Sequence, residues 1–343
     1  MIKIYNRQIG KKFRPFIIAE ACINHDGNFN KAIKMIREAK KANACAVKFQ
    51  MHELDDEMLR TAPKSSNFKD SLYDTLKKTN FTVEQHIKLK KFCEEIGIIY
   101  MCTPFSRKSV DLLVKKVKVK VLKVGSGELT NLPLQEHIAK QKLTTIISTG
   151  MSEITEIKKT VDLVKRFNKK IILTHCTSIY PCPYEYSNID VIPIMEKKFR
   201  LPVGLSDHTN SIFTSLGSVA LGAKVIEKHF TLNKKSKGPD HASSIEPWEL
   251  KILTEGAKAI FQSKGGVKKI HKKEIPIIKW ARESVVSLTN IKKGEILSSL
   301  NISVKRPAPN KNEIPAKDFT YILGKKAKKN ILANQKVKWS SVK

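Results

Sequence analysis

The chain has 343 residues, with 64 lysines and arginines against 32 aspartates and glutamates, so its formal net charge at pH 7 is +32. A length above ~250 residues predicts two domains, or one large α/β domain with an appendage. Hydrophobic residues make up 41% of the chain, and no apolar run approaches the roughly 20 residues of a membrane span, which excludes a disordered protein and a membrane-spanning one.

Predicted strands and helices alternate from residue 16 onward. Short runs rich in β-branched residues predict eight strands, at 16–20, 45–50, 98–102, 121–125, 144–148, 171–176, 202–206 and 224–230. Amphipathic stretches between them predict helices at 29–42, 83–95, 106–115, 132–140, 152–167, 189–198, 211–222 and 246–263. Strands that are apolar almost throughout are typical of a parallel sheet covered on both faces. The eight successive βα units therefore predict an α/β fold, a (β/α)8 TIM barrel over residues 1–264.

Two segments depart from this repeat. Residues 51–82 are too long for a simple βα loop, and we expect this excursion to cover a substrate site. The Gly- and Lys-rich segment 265–278 indicates a linker, and residues 279–343 contain short predicted strands separated by turns such as KKGE. This pattern predicts a small β-rich domain, which gains stability by packing on another subunit or domain.

Two features of the sequence indicate a cytoplasmic protein. No apolar stretch at the amino terminus is followed by a small-residue cleavage site, so we expect no secretion signal. The six cysteines form no CxxC pair and lie in apolar runs, as is typical of reduced core thiols.

The positive charge raises nucleic acid as a candidate partner, because lysine and arginine neutralise phosphates. Here the charge is mostly lysine and is spread over predicted helix faces, for example at Lys88, Lys90 and Lys91. A nucleic-acid groove needs clustered basic residues with interleaved aromatic side chains, whereas aromatic residues are 7% of the chain. We therefore expect solvated helix faces, with neither nucleic acid nor a membrane as a partner.

Polar residues recur at the carboxyl ends of the predicted strands, where barrels of this class carry their active sites. They are Glu20, Lys48 with Gln50, Thr103, Lys123 with Ser126, Ser148, His175, Ser206 with Asp207 and His208, and Glu227 with His229. Lys48 and Lys123 lie within apolar strands, so we expect both to reach the barrel mouth and meet an anionic substrate. The hydroxyl groups of Thr103, Ser126, Ser148, Ser178 and Ser206 are neutral donors, and with Lys123 they indicate a phosphate cradle.

His208 and His229 end two consecutive predicted strands. Neighbouring strands lie ~4.8 Å apart, so the two imidazoles could share one metal ion. The alternative is a pair of hydrogen-bonded structural histidines. Asp240, in a Gly-Pro-Asp turn, is either a turn former or a residue that orients a hydroxylated ligand.

The sequence as a whole resembles the bacterial N-acetylneuraminate (sialic acid) synthases and their legionaminate and pseudaminate relatives. The strings that carry this resemblance run in order over almost the whole chain. They are IAEACINHDGN, AVKFQ, TPFS, KVGSGEL, ISTGM, HCTSIYPCPYE, VGLSDHT, ALGAKVIEKHFTL, KGPDHASS, IKKGE and KRPAPN.

The resemblance implies a TIM barrel followed by an antifreeze-like SAF domain, in a domain-swapped homodimer whose small domains each cover the partner's barrel mouth. Members of the family are transferases that condense phosphoenolpyruvate with an N-acyl hexosamine and water, and release phosphate. The phosphoenolpyruvate ligands that it implies here are Lys48, Thr103, Lys123, Ser126, Ser148, Ser178 and Ser206. The catalytic residues that it implies are Glu20, Lys48, Tyr180, His208 and His229.

The resemblance also implies a cation and a sugar site. His208 and His229 would bind a divalent cation, Mn²⁺ with Mg²⁺ or Co²⁺ as alternatives. Tyr180 and Asp240 would hold sugar hydroxyls, Gln50 would line the pocket, and Arg306 would reach the N-acyl group of a sugar bound by the partner. Glu20 would stabilise developing positive charge or guide the attacking water.

Three positions depart from the family pattern. Ser178 replaces a common asparagine, Cys182 replaces a common threonine, and KRPAPN differs from the frequent KRPGxG. We expect these changes to affect contacts at the rim more than the reaction.

The leading substrate is N-acetylmannosamine, which would make the product N-acetylneuraminate. The alternative is 2,4-diacetamido-2,4,6-trideoxymannose, the sugar of an N,N'-diacetyllegionaminate synthase, which the strings GPDH-ASSIEP and GELTNLP favour. A pseudaminate synthase is a weaker alternative, and so is an aldolase that forms a Schiff base with Lys48 or Lys123.

Overall fold

The computed structural model describes residues 2–61 and 70–343. They form two compact units, Met1–Gly265 and Gly266–Lys343. Part of the predicted excursion, residues 62–69, lies outside the described residues. In the part of the chain that the structure describes, no helix is long and apolar enough to cross a membrane.

The first unit is built on a parallel sheet of eight strands. A hairpin of β1 (Ile2–Ile4) and β2 (Arg7–Ile9) precedes it. The sheet strands are β3 (Phe16–Glu20), β4 (Ala46–Met51), β5 (Ile99–Pro104), β6 (Val121–Val124), β7 (Thr144–Ser148), β8 (Ile171–Cys176), β9 (Val203–Asp207) and β10 (Val225–His229). Their order is β5-β4-β3-β10-β9-β8-β7-β6, and every hydrogen-bonded pair is parallel. The end strands β5 and β6 also lie side by side, so the sheet approaches a closed barrel.

Helices alternate with these strands and cover the outside of the sheet. They are α1 (Phe29–Lys41), α2 (Leu54–Glu57), α3 (Leu72–Thr79), α4 (Val83–Ile96), α5 (Arg107–Leu112), α6 (Leu132–Lys140), α7 (Ile154–Lys165), α8 (Val191–Phe199), α9 (Phe213–Leu221) and α10 (Pro247–Ser263). Local signals set their ends: α4 begins with a capping box of Thr82 and Gln85 and ends at Gly97, which has a positive φ of 74°.

One predicted helix differs in form. The stretch predicted at 106–115 is α-helical over α5 and continues as a π-helical turn, Leu113–Val117, that ends at Lys118 with φ 60°. The wider turn keeps both Leu113 and Val117 buried, so the apolar face of this segment still packs on the sheet.

The described part of the excursion packs beside the carboxyl end of β3. Helices α2 and α3 bring Leu76, with the partly buried Leu54, Met58 and Leu72, onto Cys22 and Ile23 of the loop that follows β3. This apolar cluster gives the excursion its own small core, because α2 alone is too short to be stable by itself.

The second unit is a small β-rich fold with a separate core. It contains α11 (Ile275–Ala281), β11 (Ser284–Ser287), β12 (Ile302–Lys305) and α12 (Phe319–Ile322), and β11 pairs with β12 in antiparallel fashion. Helix α11 begins inside the segment predicted as a linker, with Pro276 in its first turn, where no hydrogen-bond donor is lost. The core side chains include Val285, Ile291, Leu297, Ile302, Ile314, Ile322 and Val337.

All six cysteines are free and buried, as the sequence predicts.

Candidate active site

A cavity of about 840 Å³ opens at the carboxyl ends of the barrel strands. Each of the eight strands, or the loop that follows it, contributes lining residues. The lining includes all the predicted site residues of the first unit: Glu20, Lys48, Gln50, Thr103, Lys123, Ser126, Ser148, Ser178, Tyr180, Ser206, His208, His229 and Asp240. Side chains of a strand alternate between two faces, so one register aims the members that lie on strands inward. The other members lie in the segments that follow the strands at the same end of the barrel.

Two residues noted at strand ends have other surroundings. His175 is buried with Nε2 2.9 Å from the carbonyl oxygen of Ser187. Asp207 lies 3.2 Å from the ammonium of Lys228. Both belong to the structural network around the site.

Two lysines and two glutamates form a buried charged cluster at the cavity floor. Lys48 makes an ion pair with Glu20, its neighbour in the register of β3 and β4, and its Nζ lies 3.7 Å from Oε2 of Glu227. Lys123 Nζ lies 3.4 Å from Oε1 of Glu227. These four side chains are at most 6% exposed. Each cation therefore already has a carboxylate partner before any substrate is bound.

The pKa values of the two carboxyl groups in this cluster are shifted in opposite directions. Burial raises the pKa of Glu20 to about 7, against the lowering effect of Lys48. Burial also opposes ionisation of Glu227, but Lys123 and Lys48 hold its pKa below the usual value. Burial alone would lower the pKa of Lys48, whereas Glu20 and Glu227 raise it. At neutral pH, Glu20 is thus the carboxyl that can gain or lose a proton.

Hydroxyl groups extend the cluster toward the cavity. Lys48 donates to Oγ1 of Thr103 at 2.9 Å, and Lys123 donates to Oγ of Ser148 at 2.6 Å. Ser206 donates to Glu227 at 3.0 Å. Buried lysines whose remaining donors face hydroxyl groups are suited to an anion with several oxygens.

Ser126 and Ser178 lie across a narrow gap at Gly150. The backbone N–H of Gly150 donates to Ser126 Oγ at 3.1 Å. A β-carbon on Gly150 would come within 2.3 Å of Ser178 Oγ and 2.7 Å of Ser126 Oγ. The glycine therefore keeps both hydroxyls accessible on this side of the cavity.

The two predicted metal-binding histidines lie together, with ring centroids 5.2 Å apart. His208 Nδ1 lies 2.8 Å from the carbonyl oxygen of Thr177, so this nitrogen carries a proton and Nε2 is the nitrogen left for a cation. Burial opposes protonation of His208, but Cys176 beside it raises the pKa of the imidazole above the usual value. Nδ1 of His229 is buried and has no hydrogen-bond partner among the described residues. The Tyr180 ring packs on both, at 4.0 and 5.7 Å between centroids.

A sulfur and a carboxylate complete the set of metal-binding atoms. Cys22 Sγ, one ring nitrogen of His229 and one carboxylate oxygen of Asp240 lie within 4.8 Å of one another. His208 is outside this group of three. Burial lowers the pKa of His229 well below its usual value, and the neutral imidazole is the form that binds metals. Nitrogen, sulfur and oxygen donors of this kind fit a divalent cation.

Sequence reasoning missed several polar residues that line the same cavity. His52 Nδ1 lies 2.7 Å from Oε1 of Glu57, while Oε2 of Glu57 is buried without a hydrogen-bond partner among the described residues. His52 also stacks on Phe105, with centroids 4.4 Å apart. Glu128 lies in the 3-10 turn after β6, and burial raises its pKa. The carboxyl-end rule would have found His52 and Glu128 had it been extended beyond the last strand residue.

Arg306 belongs to the second unit. Its guanidinium lies over the ring of Trp280, 5.8 Å from the centroid. Its contact with a sugar bound by a partner subunit stays a prediction.

The sequence profile of the NeuB family matches residues 35–269, and that of the SAF domain matches residues 282–343. The chain belongs to the NeuB family. This result confirms the resemblance found in the sequence, and with the eight-stranded parallel sheet it confirms the predicted fold of a TIM-like barrel followed by a SAF domain.

Relatives of this NeuB-family chain include proteins named as legionaminic acid and sialic acid synthases. The N,N'-diacetyllegionaminic acid synthase of Campylobacter jejuni subsp. jejuni is 40% identical over 328 residues, which cover 92% of this chain and 97% of that protein. The synthase of the same name from Legionella pneumophila is 35% identical over 347 residues, covering 97% of this chain and 96% of that protein. The crystal structure of N-acetylneuraminic acid (sialic acid) synthetase from Leptospira borgpetersenii in complex with citrate matches with a TM-score of 0.74 and 32% identity, covering 81% of this chain and 94% of that chain.

Proposed function

We propose that the protein condenses phosphoenolpyruvate with an N-acyl hexosamine and water, giving a nonulosonic acid and phosphate. The observation that carries this proposal is the buried Lys48–Glu20–Glu227–Lys123 cluster beside the histidine pair in one cavity. The cluster suits a phosphorylated anion, and the histidines suit a cation that acts on a carbonyl compound.

Phosphoenolpyruvate would bind to the lysines and the hydroxyl series, Thr103, Ser126, Ser148, Ser178 and Ser206. Since Glu20 and Glu227 already offset the charge of the lysines, the anion is best accommodated when one carboxyl is protonated. Glu20, with a pKa raised to about 7, is the one that can take the proton. An incoming anion raises that pKa further, so we infer that substrate binding is coupled to proton uptake at neutral pH.

The reaction forms one C–C bond and one C–O bond, and it breaks the C–O bond to phosphate. C3 of phosphoenolpyruvate attacks the aldehyde carbon of the sugar, whose oxygen becomes a hydroxyl and takes a proton. Water adds to C2, which carries developing positive charge, and the C2–O bond to phosphate then breaks. The proton that Glu20 took up on substrate binding passes to the new hydroxyl group, so Glu20 is ionised when positive charge develops at C2. Its carboxylate then stabilises that charge and accepts the proton of the attacking water.

His208, His229 and neighbouring donor atoms would hold a divalent cation, for which the resemblance suggests Mn²⁺, with Mg²⁺ or Co²⁺ as alternatives. When bound, that cation would polarise the aldehyde oxygen of the sugar. The ring of Tyr180 packs against both imidazoles.

Gln50, Tyr180 and Asp240 are proposed to hold the sugar, together with Arg306 from the partner in a domain-swapped homodimer. Glu128, which sequence reasoning did not include, is a further candidate for a sugar hydroxyl because it lines the same cavity. The location is proposed to be the cytoplasm, where phosphoenolpyruvate is available.

Between the two candidate sugars, two observations favour 2,4-diacetamido-2,4,6-trideoxymannose over N-acetylmannosamine. Two of the three relatives named above are legionaminic acid synthases, at 40% and 35% identity, whereas the sialic acid synthetase is 32% identical. The cavity also has an apolar wall, formed by Ile23, Met58, Leu72, Leu76 and Phe105. Such a wall suits a sugar with a methyl group at C6 and a second acetamido group better than one with more hydroxyls.

The test is phosphate release by the purified protein with phosphoenolpyruvate, a divalent cation and each sugar in turn. Phosphate should appear only when both substrates are present, with the larger kcat/KM for the diacetamido sugar. Turnover of N-acetylmannosamine alone would reverse the choice of sugar, and no turnover with either would reject the synthase assignment.

A further inference from the structure

Cys22 lies in the loop that follows β3, two residues after Glu20. Its side chain lines the cavity and the residue is 5% exposed. Its φ is +46°, in the left-handed region where glycine carries no steric penalty and a residue with a β-carbon does. A cysteine at this position therefore carries a conformational energy cost that glycine would avoid. This cost raises the question of what its sulfur does.

The sulfur belongs to a group of three possible metal ligands, and each of the three comes from a different segment of the chain. Cys22 Sγ, a ring nitrogen of His229 at the end of β10, and a carboxylate oxygen of Asp240 in the following loop lie within 4.8 Å of one another. Ligands of one tetrahedral ion, at 2.0–2.3 Å from it, are roughly 3.3–3.8 Å apart. The limit of 4.8 Å exceeds that spacing by about 1–1.5 Å, a distance of the size that a side-chain rotation covers.

A second observation concerns the same imidazole. Nδ1 of His229 is buried without a hydrogen-bond partner among the described residues, and an unpaired buried polar atom is costly unless a ligand occupies it. The neighbouring imidazole, that of His208, uses Nδ1 for the carbonyl oxygen of Thr177, so Nε2 is its nitrogen left for a cation.

We propose that Cys22 is a thiolate ligand of the cation held by His208 and His229, with Asp240 as a further ligand. The proposal rests on the proposed function for the presence of that cation. A thiolate makes the site softer, so it would favour Zn²⁺ and Co²⁺ over Mn²⁺ and Mg²⁺. Binding transfers the thiol proton to solvent, as cation binding to cysteine requires.

Cys176 is the only other described cysteine for which a contact with a metal-site histidine is found, and its position is different. Its Sγ lies 3.7 Å from Nδ1 of His208, the nitrogen that already donates to Thr177. This sulfur is therefore on the side of the ring away from the free Nε2. Cys176 serves as a matched control for Cys22.

Two substitutions remove the sulfur of Cys22. Cys22→Gly suits the left-handed backbone, which offsets the loss of the Cys22 side chain from the apolar cluster with Ile23 and Leu76. Cys22→Ser replaces sulfur by oxygen at nearly the same size. The controls are Cys176→Ser and Cys93→Ser, the second in α4, where the thiol is fully buried.

The experiment is a titration of the metal-free 343-residue protein with Co²⁺, followed by absorbance. Thiolate ligation should produce a sulfur-to-cobalt charge-transfer band in the near ultraviolet that saturates with the binding site. The Cys22→Gly and Cys22→Ser proteins should lose this band and bind Co²⁺ roughly 10–100-fold more weakly, at least the loss seen on removing a supporting residue of a metal site. Cys176→Ser and Cys93→Ser should keep the band.

The proposal is overturned if the natural protein binds Co²⁺ without the band, if Cys22→Gly keeps it, or if Cys176→Ser loses it instead. A parallel assay of phosphate release distinguishes failure of this proposal from failure of the proposed function. Metal-dependent turnover without the band would support the proposed function and reject Cys22 as a ligand of the cation. The band without turnover of any amino sugar would support Cys22 as a ligand and reject the proposed function.

Discussion

Lys228 and Asp207 form a buried ion pair, with Nζ 3.2 Å from Oδ1, between the neighbouring strands β10 and β9. Each residue directly precedes one of the paired histidines, and because strand side chains alternate, both point away from the cavity. Asp207 also accepts hydrogen bonds from Thr214 and Ser215, and Lys228 donates to the carbonyl oxygen of Thr209. The pair therefore fixes the relative height of His208 and His229.

Replacing Lys228 with methionine should destabilise the protein by about 3–5 kcal/mol, because a buried carboxylate is left without its cation. Urea unfolding measures this loss. The control is Lys158→Met, which breaks an exposed pair with Asp162 on α7 and should cost less than about 1 kcal/mol. Equal, small losses in the two variants would show that the buried pair contributes no more than a surface one.

Glu20→Gln should lower kcat by about 10²–10⁴-fold, since glutamine keeps the shape of the side chain but cannot ionise or accept a proton. The KM for phosphoenolpyruvate should change much less, because the lysines and hydroxyls remain. Steady-state phosphate release measures both values. Glu255→Gln, an exposed position on α10, serves as the control, and a Glu20→Gln protein as fast as that control would remove Glu20 from the chemistry.

Arg306→Ala should raise the KM for the sugar far more than the KM for phosphoenolpyruvate, because its proposed contact is with the N-acyl group alone. The matched variant is Arg282→Ala, an exposed arginine of the same unit. Kinetics with each substrate varied in turn make the comparison. A similar change in both KM values would contradict the assigned contact.

His86 predicts a specific pH dependence of stability. This residue of α4 is fully buried with Nδ1 2.7 Å from the Tyr100 hydroxyl, and burial lowers its pKa from 6.5 to about 3. Since the unfolded chain binds the proton more tightly, the stabilisation by neutral His86 is complete above pH 6.5 and is lost as the pH falls toward 3. The slope reaches about 1.4 kcal/mol per pH unit for one proton.

The variant His86→Gln tests that dependence, because glutamine can still pair with Tyr100 and does not titrate. Urea unfolding at several pH values between about 4 and 7 should give a flatter curve than the natural protein. His271→Gln, at an exposed position, should leave the slope unchanged. An unaltered slope in His86→Gln would mean that another group causes the acid sensitivity.

The barrel was predictable from the sequence because its strands are buried on both sides and so appear as apolar runs. The inward set, from Glu20 to His229, follows from the same register, since one residue at the end of each strand must face the cavity. The boundaries moved by only a residue or two, as at β9, predicted at 202–206 and observed over Val203–Asp207.

Other features could not be read from local pattern. Cys22 resembles any other core thiol until the fold brings it to His229 and Asp240, which are more than two hundred positions away in the chain. The contact between His52 and Glu57 depends on the excursion, whose short helices have weak periodicity. The pairing of each cavity lysine with a carboxylate likewise follows from three-dimensional neighbours. From the sequence, Lys48 and Lys123 are expected to be unpaired cations in the cavity. In the structure they belong to a nearly neutral cluster, which in the proposed function takes up a proton.

The central claim is that phosphoenolpyruvate gives its C3 to a sugar aldehyde while water enters at C2 and the C–O bond to phosphate breaks. Mass spectrometry of products formed in H₂¹⁸O tests it directly. We predict a nine-carbon sugar acid with ¹⁸O at C2 and an equimolar amount of unlabelled phosphate, formed only when both substrates are present. Label in the phosphate, or no sugar acid with either amino sugar, would contradict the account.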